Sequence, residues 1–147
     1  MLRGLKVLMS GIALAGFTLA GAGVAAAQEP DKPVLTLEGD AAVITLLIKP
    51  DKTAEFEAVI AKLKEALAKS EKAERKQQLA GLKIFKSPQA VNNSTVYVFL
   101  IDPVVKGQEY DITRLIAEVF PVEVQEVFQK YKDSFNGRAI TTLNKVP

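Results

Sequence analysis

Residues 42–49, AVITLLIK, and residues 95–101, TVYVFLI, decide the fold of this chain. Both stretches are rich in the β-branched and aromatic residues typical of strands, and a proline closes each. Successive side chains of a strand point to opposite faces. The first strand has Val43, Thr45 and Leu47 on one face and Ile44, Leu46 and Ile48 on the other. The second has Val96, Val98 and Leu100 against Tyr97, Phe99 and Ile101. Since a strand with one wet face would alternate apolar and polar residues, both faces of this sheet are expected to be covered.

Between these two strands, the sequence predicts a helix and a short strand. The helix is expected to begin with Thr53 as its N-cap, and its apolar residues recur at helical spacing. They are Phe56, Val59, Ile60, Leu63 and Leu67. Residues 69–78, KSEKAERKQQ, lose this spacing and predict a solvated extension that ends at Gly81. An anion site at Arg75 and Lys76 is the alternative for this segment. Residues 82–86, LKIFK, predict the intervening strand.

Two further helical stripes and a final strand follow residue 101. Asp111 is expected to cap the first helix, whose apolar residues are Ile112, Leu115, Ile116 and Val119. Pro121 is expected in the first turn of the second helix. Its apolar residues are Val124, Val127, Phe128, Tyr131 and Phe135. Asn136-Gly137 predicts the end of that helix, and residues 138–145, RAITTLNK, predict the last strand.

This order of elements is the βαββαβ pattern of the ferredoxin-like α+β fold, with a four-stranded antiparallel sheet and both helical regions on one face. The other face then needs a cover of its own. A second copy of the chain, packed sheet to sheet as a homodimer, is the simplest one. The alternative is that the N-terminal tail folds back over the sheet and covers it with Val34, Leu35 and Leu37, where residues 34–37 could form a short strand.

The first 27 residues have the pattern of a secretory signal peptide. Arg3 and Lys6 precede a long uncharged apolar run, and Ala25-Ala26-Ala27 offers a small-residue cleavage site. We therefore expect an exported protein, periplasmic or extracellular, with residues 28–40 as a tail and 41–147 as the folded domain. An uncleaved membrane anchor is the alternative. Arg3 and Lys6 also account for the excess of 19 Lys and Arg over 17 Asp and Glu, so the remaining chain is formally neutral and carries no nucleic-acid-binding charge pattern.

The residue types that the chain lacks exclude several kinds of metal site and catalytic site. The chain has no Cys, no His and no Trp, which excludes disulfides, thiolate metal sites, haem-ligating histidines and Ser-His or Cys-His nucleophiles. The carboxylates of Asp102, Glu109 and Asp111 match no calcium-loop spacing. We therefore expect no catalytic residues, no metal and no cofactor.

The chain resembles the dimeric α+β barrel superfamily, which includes the antibiotic-biosynthesis-type monooxygenases, in its element order, two-sided strands and PDKT helix start at residues 50–53. Residues 39–57, 85–88 and 96–112 are similar to a group of uncharacterised exported bacterial proteins. The resemblance implies a dimeric barrel and permits a cofactor-independent monooxygenase, in which Asn, Trp, Tyr or His residues orient the substrate. Three of the four Asn residues here are expected in a loop or a helix cap, and Asn144 at a strand end.

The expected function is that of a soluble, homodimeric, non-catalytic protein that binds a small apolar ligand. Phe85, Tyr97 and Phe99 are expected to line a cavity between sheet and helices, with Thr45 as a polar group. Each of these residues also suits an ordinary core position. A monooxygenase-like enzyme and a protein-interaction module are the alternative functions.

Overall fold

The chain forms four strands and four α-helices in a computed structural model that describes residues 32–147. In chain order these are β1 (Ala41–Ile48), α1 (Thr53–Lys69), α2 (Ala73–Gly81), β2 (Leu82–Lys86), β3 (Thr95–Ile101), α3 (Ile112–Val119), α4 (Val124–Ser134) and β4 (Phe135–Leu143). A short 3-10 turn, Pro50–Lys52, leads into α1. The predicted α+β class is confirmed, and β2 and β3 have the predicted bounds.

The four strands make one antiparallel sheet in the order β2-β3-β1-β4, consistent with the predicted ferredoxin-like fold. Ile44 lies opposite Phe99 on one side and Ile140 on the other, while Thr45 lies opposite Val98 and Ala139. Because side chains alternate, this register puts the Ile44 row and the Thr45 row on opposite faces of the sheet.

The two faces differ in what covers them. The face with Ile44, Leu46, Tyr97 and Phe99, here called the helix face, packs against the helices in a continuous apolar core. Phe56 of α1 lies at its centre, with its ring 4.8 Å from that of Tyr97. The open face carries the alternate set of side chains. Its members are Val43, Thr45, Leu47, Lys83, Phe85, Val96, Val98, Leu100, Ala139 and Thr141.

The charged segment after α1 is helical and mostly exposed, as its composition predicts, but it does not continue α1. The backbone becomes extended at Ser70, and a separate helix, α2, begins at Ala73. Arg75 and Gln78 of α2 are only 4% and 2% exposed. The burial of these two side chains was not predicted, because polar residues can be buried when partners from distant segments satisfy them.

Three boundaries also differ from the prediction. Thr53 is the first residue of α1 rather than its cap, and Lys52 precedes it without a side-chain cap bond. The second helix of the C-terminal pair begins at Val124, three residues after Pro121. Strand β4 begins directly at Phe135, so Asn136 and Gly137 lie inside the strand instead of ending the helix. By contrast, Asp111 caps α3 as predicted, because its carboxylate accepts the Arg114 N–H.

The described part of the N-terminal tail does not cover the open face. Leu37 belongs to the core, and Leu35 packs against it beside the helix-face residues Ile44 and Phe99. Residues 34–37 form no strand. The fold-back cover is therefore not observed for residues 32–40. The predicted signal peptide, its cleavage site and residues 28–31 lie outside the described residues. No helix between residues 32 and 147 is long and apolar enough to cross a membrane.

Candidate functional site

A cavity of about 40 Å³ lies between the helix face of the sheet and the helices. Its apolar lining comes from the sheet, from α1 and α3 and from the N-terminal tail. These residues are Leu35, Ile44, Leu46, Leu63, Leu67, Leu82, Phe99, Ile101, Ile112 and Leu115. Five polar or charged side chains complete the lining. They are Gln78, Tyr110, Asp111, Tyr131 and Arg138. The site is thus an apolar chamber with a few polar groups, the general form of a small-molecule site.

Three of these five polar side chains already have partners in the protein. Gln78 donates to the Glu109 carbonyl at 2.8 Å and accepts from Arg75. The Tyr110 hydroxyl accepts the Val105 N–H at 2.8 Å. Asp111 accepts the Thr113 hydroxyl and the Arg114 N–H through its Oδ1 atom. These hydrogen bonds orient the three side chains in the wall of the cavity; the hydroxyl proton of Tyr110 and the Oδ2 atom of Asp111 have no partner in residues 32–147.

Tyr131 and Arg138 are different, because neither side chain has a hydrogen bond or an ion pair with any residue in 32–147. Within that range no fully buried polar side-chain atom lacks a partner, so the Tyr131 hydroxyl reaches solvent or the cavity. Burial raises the pKa of Tyr131; the nearby Arg138 charge opposes this rise and the Asp111 carboxylate adds to it. The phenol therefore remains protonated at neutral pH and can donate a hydrogen bond.

A buried carboxylate, that of Glu109, holds the tail and the α3 entry in place. Its Oε1 accepts the N–H groups of Leu35, Tyr110 and Asp111, and its Oε2 accepts that of Val34 at 2.8 Å. Glu109 is only 5% exposed. Because Leu35, Tyr110 and Asp111 all line the cavity, this one side chain positions much of its wall.

The guanidinium of Arg75 connects α2 to α3 rather than forming an anion site. Its Nε and Nη2 atoms donate to the two oxygens of Glu118 at 2.9 and 2.6 Å. Its Nη1 donates to Gln78 and to Gln108. Hydrogen bonds from Arg75 hold the pKa of Glu118 below its ordinary value. With its donors occupied by protein partners, Arg75 is not available to an external anion, and the alternative anion site at Arg75 is wrong.

The structure divides the four predicted ligand-binding residues between the two faces of the sheet. Phe99 lines the cavity, and Tyr97 lies on the same face. Tyr97 is 2% exposed and donates its hydroxyl to Glu57 at 2.6 Å. Thr45 and Phe85 lie on the open face, where Phe85 is 53% exposed. These two residues therefore do not line this cavity.

Sequence reasoning missed Gln78, Tyr131 and Arg138 as cavity residues. Tyr131 was predicted only as part of a helical stripe, and Arg138 only as the first residue of the last strand; Arg138 is exposed and also lines the cavity. The three carboxylates considered for a cation also separate: Glu109 binds backbone N–H groups, Asp111 caps α3, and Asp102 lies exposed after β3. Among residues 32–147, no group of three or more acidic side chains is arranged to hold a metal ion.

Comparison with known proteins adds no relative: the chain matches no family model, no curated protein and no solved structure. The superfamily resemblance is therefore supported only at the level of the α+β fold, and the function has to be argued from the cavity and the sheet.

Replacing Glu109 with Gln tests its structural role. The amide keeps the size but loses the charge and places a donor against backbone donors, so we expect a loss of roughly 2 to 4 kcal/mol in the free energy of unfolding. Urea denaturation measures this loss, and hydrogen exchange should show faster exchange at the Val34 and Leu35 amides. Glu38→Gln, at an exposed carboxylate of the tail, is the matched control and should be nearly neutral. Equal stability of the two variants would contradict the role.

The lowered pKa of Glu118 predicts how stability depends on pH. A carboxylate whose pKa is depressed in the folded state stabilises fully above its unfolded pKa, and that stabilisation is lost as pH falls through the folded pKa. We therefore expect the free energy of unfolding to decline less steeply below pH 4.5, the ordinary value, in Glu118→Gln than in the unmodified chain. Glu71→Gln is the control, because Glu71 is exposed and forms no ion pair with any residue in 32–147. Parallel acid-unfolding curves for the Glu118 variant and the unmodified chain would refute the assignment.

Proposed function

We propose that this protein is an exported homodimer that binds a small, mainly apolar ligand in the cavity between the helix face and the helices. The observation that carries the proposal is the combination of apolar walls with two unpartnered polar groups, those of Tyr131 and Arg138. Arg138 lines the cavity although it is exposed, and Tyr131 is half-buried, so both donors lie on the solvent-facing side of the cavity and are open to a ligand.

Ligand binding agrees better with this lining than catalysis does. A general base needs an accessible acceptor of suitable pKa, and the chain contains no His. The carboxylate in the lining, that of Asp111, caps α3. The remaining groups, a phenol and a guanidinium, are hydrogen-bond donors that bind and orient an acceptor. We therefore favour a binding protein over the monooxygenase-like alternative.

The volume of the cavity limits the ligand. Pockets that enclose drug-sized molecules measure roughly 300–1,000 Å³, far more than the 40 Å³ found here. The ligand is accordingly short, or binding displaces part of the wall. Moving the tail that carries Leu35 would break the hydrogen bonds from the Val34 and Leu35 N–H groups to Glu109 and the bond from the Tyr110 N–H to the Leu35 carbonyl, so we expect this wall to stay in place.

The open face supports the dimer in the same proposal. Four strands spaced about 4.8 Å apart give the width of this face, and seven residues with a rise of about 3.3 Å each give its length, so its area is roughly 400 Å². This face carries one charged side chain from the paired strands, that of Lys83 at the sheet edge, so a second copy can pack on it without repulsion at its centre. Because the described tail lies on the helix side, a second copy is the cover that the chain can provide.

Charged substitutions distinguish the dimer from a monomer. Val98→Lys, on the open face, should give a folded monomer by sedimentation, because an unpaired lysine cannot be buried in the interface. Phe99→Lys, one residue along on the helix face, should unfold the subunit by circular dichroism. Val122→Lys is the control, since Val122 is 92% exposed and lies outside the sheet; this variant should remain dimeric. A monomeric unmodified chain at high micromolar concentration would overturn the dimer.

Export is the third part of the proposal and follows from the leader pattern. Mass spectrometry of protein recovered from outside the cytoplasm should give a chain that begins at Gln28. An intact Met1 start in a membrane fraction would favour the anchor alternative instead.

A further inference from the structure

We propose that the ligand carries a carboxylate, or an equivalent anionic group, that binds at the Arg138 and Tyr131 end of the cavity. This inference rests on the proposed ligand-binding function and adds the polarity of the ligand. The ligand class is then a small amphipathic acid, with an apolar body among the leucines and phenylalanine of the chamber and an anionic head at β4.

The position of Arg138 supports an external partner for its charge. Arg138 lies in β4 opposite Leu46, on the helix face, where it is exposed and forms part of the cavity lining. No carboxylate in residues 32–147 forms an ion pair with it, although eight ion pairs occur elsewhere in that range. A guanidinium at the edge of an apolar cavity can bind a carboxylate through two parallel, charge-assisted hydrogen bonds.

Tyr131 adds a second donor at the same end. Tyr131 and Arg138 line the same cavity. The Tyr131 hydroxyl donates to no acceptor in residues 32–147, where only the backbone carbonyl of Tyr131 takes part in a side-chain hydrogen bond. A carboxylate has two oxygens and can accept from the guanidinium and the phenol together. An alcohol offers a single oxygen and no charge, and so binds less tightly.

The negative group in this lining, that of Asp111, is largely compensated by its own surroundings. Its Oδ1 accepts two hydrogen bonds, from Thr113 and Arg114, and it caps the eight-residue helix α3, whose positive dipole end favours an anion. Glu109, the nearest other carboxylate along the chain, is occupied by four backbone N–H groups. Arg138 is the one positively charged side chain among the residues of 32–147 that line the cavity.

Three probes of equal chain length test this polarity: hexanoate, 1-hexanol and hexylammonium, each titrated into the purified protein at neutral pH by calorimetry. Hexanoate should bind at least about tenfold more tightly than hexanol, because it adds a charge-assisted hydrogen-bond pair. Arg138→Met should reduce hexanoate affinity to the level of hexanol and leave hexanol affinity unchanged. Lys132→Met removes the same charge from an exposed position of α4 outside the cavity lining and should keep the preference for hexanoate.

The other outcomes overturn the inference in distinguishable ways. Equal affinity for hexanoate and hexanol would contradict the proposal that the ligand has an anionic group, but would still support an apolar ligand site in the cavity. Tighter binding of hexylammonium would make Asp111 the anchor instead of Arg138. Binding of none of the three would overturn the proposed ligand site itself. Amide chemical shifts locate any bound probe: changes should cluster at Leu35, Leu63 and Phe99, and changes confined to Thr45 and Phe85 would place the ligand on the open face and refute the proposal.

Discussion

The carboxylate of Glu109 is the constraint on which the cavity depends. It gathers four backbone N–H groups, from the tail and from the entry to α3, around one buried side chain. The backbone carbonyl of Glu109 accepts a hydrogen bond from the side-chain amide of Gln78 in α2. The amide oxygen of Gln78 in turn accepts a hydrogen bond from Arg75. Three separate segments thus meet at a residue in an irregular connection. A buried charge is tolerated there because backbone donors surround it, and the cavity wall is fixed as a consequence.

Because the tail is held on the helix side of the sheet, the open face remains uncovered within one chain. Glu109 binds the tail at Val34 and Leu35, and Leu37 enters the core, so these apolar residues are not available to the opposite face of the sheet. The open face keeps its valines and leucines together with the exposed ring of Phe85. The proposed dimer follows from this division. Both faces of the sheet are apolar, but the helices of one chain cover only one of them.

Local pattern predicted the strands well and the buried polar residues poorly. The bounds of β2 and β3 were correct because Gly81, Pro88, Asn93 and Pro103 delimit short β-rich runs without reference to the rest of the chain. The burial of Arg75 could not be predicted in this way, because its partners Gln108 and Glu118 are 33 and 43 residues distant in sequence. Arg138 was placed in the last strand, but the face of the sheet on which it lies depends on its pairing with Leu46 of β1, which a local pattern does not give.

The parity of the strands explains why the predicted ligand residues divide between two faces. Thr45 follows the cavity residue Ile44 in β1, and Phe85 of β2 pairs with Val98, the neighbour of the cavity residue Phe99. Thr45 and Phe85 nevertheless lie on the opposite face of the sheet from the cavity. In a sheet, a step of one residue moves a side chain to the opposite face. The proposed ligand site and the proposed dimer interface therefore share the backbone of β1 and β3, separated only by the thickness of the sheet. A substitution at residue 98 or at residue 99 then reports on a different proposal, and the register decides which one.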